Sequence, residues 1–166
     1  KGFIAYLDKV ADLFLDLKDS KGELIPVIFR MYHEHTGGWF WWGNKQCTPE
    51  EYNELYRMTV RYLRDTKQVH NILYAFSPAG ITTEAEFLSR YPGDEWVDIV
   101  GFDNYCGSDK SSIERYKKEV TAGLKVVTDY AKLKNKIPVL AETGMESIPV
   151  ADYFTNILLP TIEPFN

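Results

Sequence analysis

Apolar residues recur at helical spacing through Phe3, Ile4, Leu7, Val10, Ala11, Phe14 and Leu15, then give way to the polar stretch from Lys18 to Glu23. This pattern predicts an opening helix. Leu24 to Met31 is an apolar, β-favouring run that crosses Pro26 near its start, and a glycine- and tryptophan-rich loop follows from His33 to Gln46. Thr48, Pro49, Glu50 and Glu51 spell a helix start, with a capping hydroxyl, a proline in the first turn and a carboxylate three residues after the cap. Tyr52, Leu55, Tyr56, Thr59, Tyr62 and Leu63 supply the buried stripe of that helix. A second strand, Asn71 to Phe76, stops at Ser77 and Pro78; Thr83 to Glu86 repeats the capping pattern for a short helix closed by Pro92 and Gly93. Val97 to Tyr105 reads as a third strand. Ser111 and Glu114 start a helix with the stripe Ile113, Tyr116, Val120, Leu124, Val127 and Ala131, Ile137 to Ala141 forms a fourth strand, and Asp152 to Leu159 one more helix.

Short strands that are apolar on both faces and separated by helices call for parallel pairing beneath helical cover, an α/β architecture. A doubly wound open sheet would carry a glycine-rich G-x-G-x-x-G turn after an early strand, and the chain has none. A (β/α)8 barrel instead collects residues from many strand ends on one face. The strand ends here are suited to that: Tyr32, His33 and Glu34 after the first, Ser77 after the second, Asp103, Asn104 and Tyr105 after the third, Glu142 after the fourth. Glu34 and Glu142 lie 108 residues apart, three modules of 36. They are therefore expected to face each other across the mouth of a barrel, where two carboxyls about 5 to 5.5 Å apart serve retaining glycoside hydrolysis.

Composition narrows the partners. With 166 residues, 45% hydrophobic and 26% charged, the chain is one folded domain's worth of material, and no apolar run approaches the ~20 residues of a membrane-spanning helix. A net charge of −5 offers no field for a phosphate backbone, which argues against nucleic acid and for a neutral ligand. Aromatic residues make up 14%, with Trp39, Phe40, Trp41 and Trp42 consecutive; four in a row cannot all face one interior, so part of the run is free to pack against a ligand. Cys47 and Cys106 are too few for a disulfide scaffold or a structural zinc site, and whether they bridge stays open.

The segment Arg30-Met-Tyr-His-Glu-His-Thr-Gly-Gly-Trp-Phe-Trp-Trp-Gly43, the segment Gly101-Phe-Asp-Asn-Tyr105 and the segment Leu140-Ala-Glu-Thr-Gly144 resemble the ends of barrel strands 4, 6 and 7 in the endo-β-1,4-mannanases of glycoside hydrolase family 26. The resemblance implies a (β/α)8 TIM barrel of which this chain covers helix 3 through helix 7. It implies Glu34 as the acid/base, Glu142 as the nucleophile, Tyr105 as its hydrogen-bond partner, His33 and Trp39 as lining of the subsite for the sugar under attack, Asp103 as an orienting residue, and Phe76 as a weaker lining candidate. No metal or organic cofactor is implied. The implied substrate is β-1,4-mannan, galactomannan or glucomannan; mixed-linkage β-glucan and β-1,3-xylan are the rivals within the family, and a non-catalytic carbohydrate-binding barrel is the rival outside it. A polymer of that size cannot enter a cell intact, so an extracellular, periplasmic or cell-surface enzyme is expected.

Blander readings stand beside these. Glu34 and Glu142 could be solvated loop carboxylates, Tyr105 a buried phenol, Asp103 a loop cap. His33, Glu34 and His35 could ligate a metal, but two imidazoles two residues apart at a strand end lack the shared helix face of H-E-x-x-H. At least one of Phe40, Trp41 and Trp42 is expected only to seal the barrel top. Arg30 shares strand parity with Glu34 and is expected to point inward toward a carboxylate unless a bulge shifts the count. Since a full barrel takes about 250 residues, residues 1–166 are expected to be a single catalytic-domain fragment of unknown oligomeric state, inactive and prone to associate when alone.

Overall fold

The computed structural model describes residues 2–165. Its centre is a four-stranded parallel sheet in the order β1 (Val27–Phe29), β2 (Ile72–Phe76), β3 (Ile99–Cys106) and β4 (Ile137–Met145). The helices are α1 (Gly2–Asp16), α2 (Pro49–Arg61), α3 (Glu84–Leu88), α4 (Lys110–Lys134) and α5 (Leu159–Ile162). Consecutive strands paired in parallel with helical crossovers make half of a (β/α)8 barrel. No helix among the described residues is long and apolar enough to cross a membrane.

Strand parity divides the sheet into two faces. Tyr74, Phe76, Val100 and Phe102 point to the helical layer and are buried there. The other face carries Ile28 and Leu73, paired in register, together with Ala75, Ile99 and Ile137; Ile28, Leu73 and Ile137 are exposed on it. Further along each strand, that same face turns polar with Arg30, Ser77, Asp103 and Glu142.

Helix boundaries follow their caps. Thr48 and Thr83 each close a full capping box, with Glu51 and Glu86 reaching back to the cap, an arrangement worth about 1 kcal/mol per cap. The helix start expected at Ser111 and Glu114 moves upstream. Asp109, rather than Ser111, caps α4, because its carboxylate accepts from the backbone of Ser112 while also holding the hydroxyls of Ser111 and Ser112. The segment expected as one helix over Asp152 to Leu159 winds as a wider, five-residue-spaced turn (Tyr153–Leu158) before α5, where Pro160 has no N–H to give an ordinary helical ladder.

Two strands differ from expectation. β1 keeps only three residues because Pro26 limits its start and Tyr32, at φ +52°, turns the chain out of the sheet. β4 runs four residues past Ala141, so Glu142 lies within it. Between Phe102 and Asp103 the register slips: Phe102 pairs with Leu140, but Asp103 pairs with Glu142, leaving Ala141 as a bulge. Leu140 shares the helix-facing side with Phe102, and two residues on, Glu142 would have shared it too. The bulge turns it to the Asp103 side.

Candidate active site

Arg30 organises the polar end of the inner face. Its Nη1 donates to Ser77 Oγ at 2.9 Å and to Asp103 Oδ2 at 3.0 Å, and its Nη2 donates to Glu142 Oε1. The inward orientation expected from strand parity is what the structure has. Asp103 has no side-chain surface left to offer a ligand; it lies beneath the cleft, paired with Arg30.

Glu142 is held on two sides, by Arg30 and by the Tyr105 hydroxyl, which donates to Oε2 at 2.7 Å. Burial favours its neutral form, but the Tyr105 hydrogen bond and the Arg30 charge outweigh burial and hold the carboxyl below its ordinary value. The same bond pushes the Tyr105 phenol up to about 12. His33 Nε2 stands 3.9 Å from Glu142 Oε1; desolvation first, then Arg30, lower its pKa against the pull of Glu142 and Glu34, leaving a neutral imidazole.

Glu34 arrives from the other side. Its backbone is left-handed, at φ +52°, which costs a non-glycine residue roughly 1–2 kcal/mol and is held by surrounding bonds. Its N–H donates to Ser77 O at 2.8 Å, and its carbonyl accepts from Gly37 N at 2.9 Å. Trp39 Nε1 donates to Glu34 Oε2 at 3.0 Å, while the residue stays 63% exposed. Gly37 lies directly under that ring: a Cβ there would come within 2.2 Å of it, so only glycine allows Trp39 to lie where it does. One oxygen from each of Glu34, Asp103 and Glu142 falls within a 4.8 Å span. Those three oxygens could in principle receive a cation, but Arg30 already lies against two of the carboxylates and would repel one.

Five of the seven expected site residues therefore converge at the surface: His33, Glu34, Trp39, Tyr105 and Glu142, with Asp103 beneath them. Phe76 does not join them. Parity points its ring to the helical side, where it packs on Tyr56, Phe87 and Tyr91 at 1% exposure. His35, read as a loop residue, is also in the core, between the rings of Tyr52 and Phe76 at 4.3 and 4.7 Å. Burial and nearby Arg90 push it down to about 3, and it faces away from His33 and Glu34, so the three cannot share a metal. Trp42 packs on Tyr32 and Phe40 and donates to His33 O at 2.8 Å, the sealing role expected within that run. Cys47 and Cys106 are both free thiols. Ser77, noted in the sequence only as a polar strand end, joins Arg30 to the Glu34 backbone; its place after a buried strand was the available signal.

Asp103 gives a measurable pH effect. Burial pushes its carboxyl up to about 7, with Arg30 opposing and Glu142 and Glu34 adding to the rise. The folded form then keeps a proton that the unfolded chain releases near 3.8, so this group's stabilising contribution is complete below about pH 4 and lost as the pH rises to about 7. Melting curves of wild type and Asp103→Asn across pH 4 to 8 are expected to show wild type losing ground to the variant up to neutrality and then running parallel. A difference independent of pH would contradict the assignment.

The family model for "Glycosyl hydrolase family 26" matches residues 1–156. The chain belongs to glycosyl hydrolase family 26. Relatives of the chain include a mannan endo-1,4-beta-mannosidase of Bifidobacterium adolescentis, 45% identical over 141 residues, which make up 83% of this chain and 14% of that protein. The structure superposes on the family 26 beta-mannanase BoMan26A of Bacteroides ovatus with a TM-score of 0.91 at 44% identity, covering 98% of this chain and 46% of that one. It also superposes on the modular endo-beta-1,4-mannanase of Cellulomonas fimi with a TM-score of 0.88 at 38% identity, covering 98% and 37%. The family 26 chain thus spans less than half the length of each of these relatives.

Proposed function

We propose that this family 26 chain carries the catalytic half of a retaining, endo-acting β-1,4-mannanase acting on mannan, galactomannan or glucomannan. The observation that carries the reading is that one carboxylate oxygen of Glu34 and one of Glu142 lie within 4.8 Å of each other, the close approach that double displacement needs rather than the wider gap of inversion. Glu142, kept ionised by Tyr105 and Arg30, attacks the anomeric carbon as the glycosidic bond breaks, and Glu34 gives its proton to the departing oxygen. Water then enters, Glu34 takes a proton from it, and the covalent glycosyl bond to Glu142 is released. His33 donates a hydrogen bond to the sugar as a neutral imidazole, and the open face of Trp39 stacks on a pyranose ring.

The mannan assignment is supported by the names of the relatives, and an extracellular, periplasmic or cell-surface location by the size of such a substrate. The test is release of soluble sugar from mannan, mixed-linkage β-glucan and β-1,3-xylan by the chain set in a complete eight-stranded barrel. Mannan is expected to be cut fastest, with internal cleavage; faster release from either rival would replace the substrate, and binding without turnover on all three would defeat the enzyme reading.

A further inference from the structure

We infer that Arg90 is a positioning residue for the acid/base: from the helical layer it clamps the aromatic loop that carries Trp39 and supports His33 and Glu34. Arg90 lies in the turn after α3 and is 5% exposed. Its Nη1 and Nη2 both donate to Cys47 O at 3.1 Å; Nη2 also reaches Thr48 O at 3.3 Å, Cys47 Sγ at 3.0 Å and Trp42 O at 3.5 Å. The guanidinium covers the Tyr52 ring at 5.1 Å. Among the described residues its hydrogen-bond partners are all uncharged, and Nε has none. A guanidinium buried with no carboxylate partner is costly, and every one of these acceptors belongs to the segment 42–48. Every hydrogen bond it makes goes to that one stretch of chain.

From there two short paths lead to the site. The Trp42 indole donates to His33 O and stacks on Phe40 at 4.5 Å, and Phe40 packs on the His33 ring at 5.0 Å. Asn44 ties the clamped end back to Gly37 O at 2.9 Å, beneath the Trp39 ring whose N–H holds Glu34. Releasing the clamp loosens both supports of Glu34 without touching Glu142, which is fixed by β3, β4 and Arg30. Lysine keeps the charge but cannot reproduce a planar fork that reaches several acceptors at once.

The kinetic arm of the test rests on the proposed hydrolase activity. A substrate with an activated aryl leaving group needs little protonation, whereas a mannan oxygen depends on the acid, so a misplaced Glu34 acts selectively. In the complete barrel, Arg90→Lys is expected to melt cooperatively and change its near-UV tryptophan circular dichroism. Its kcat/KM on manno-oligosaccharides should fall about tenfold or more, and on a dinitrophenyl mannobioside less than about threefold. Equal losses on both substrates, or none, would overturn the inference. If Arg90→Lys does not fold, Trp42→Phe, which removes the indole N–H from His33 O while keeping an aromatic ring, must show the same selective loss. If wild type is inert on every mannoside, the proposed function fails, and the near-UV band of folded Arg90→Lys decides alone: an unchanged band rejects the clamp.

Discussion

Glu142→Ala, made in a complete barrel, is expected to reduce turnover of mannan and of activated aryl mannosides alike by at least ~10⁴-fold, because no other group can form the glycosyl bond. The loss should be insensitive to leaving group. The variant also vacates a place beside Arg30 and Tyr105, two donors that hold an anion in the native site. Azide entering that space attacks the anomeric carbon once, from the side Glu142 used. Rescued turnover of a dinitrophenyl mannobioside with an inverted, α-configured glycosyl azide as product is the expected result; a β-configured azide would show that Glu142 is not the nucleophile.

Glu34→Ala should behave in the opposite way on both counts. Loss of a general acid costs roughly 10²–10⁴ on a poor leaving group, so mannan cleavage should fall by that much while the first step on a dinitrophenyl mannobioside persists. The glycosyl-Glu142 intermediate then accumulates, since its breakdown needs the base. Azide requires no deprotonation and attacks it from the face Glu34 guards, giving a β-configured product and a rate set by azide concentration. If both variants yield the same anomer, the two roles cannot be as assigned. The separation of behaviour follows from surroundings: Glu142 is gripped by two donors, Glu34 by one indole N–H on a chain segment with left-handed backbone.

Much of the fold and site is legible in the sequence, for identifiable reasons. The capping hydroxyls of Thr48 and Thr83 and the helical stripes are local signals, and parity alone turned Arg30 inward. What escaped depended on distant residues. His35 looked like loop because nothing nearby in sequence reveals that Tyr52 and Phe76 close over it. The family resemblance groups Phe76 with the sugar pocket, although its parity, opposite to that of Ser77, already points it toward α2 and α3. Arg90 carries no signal at all, since its acceptors are main-chain carbonyls and one thiol 42 to 48 residues away. The bulge at Ala141 is a property of the β3–β4 ladder and is visible only once the two strands are paired.

That extra residue couples chain length to chemistry. A single deletion or insertion between Pro138 and Glu142 would swing the Glu142 carboxylate to the side that Leu140 and Phe102 occupy and bring a neighbour to the cleft in its place, whereas changes of two residues would preserve which way it looks. Variants of this strand should thus survive in even steps and fail in odd ones.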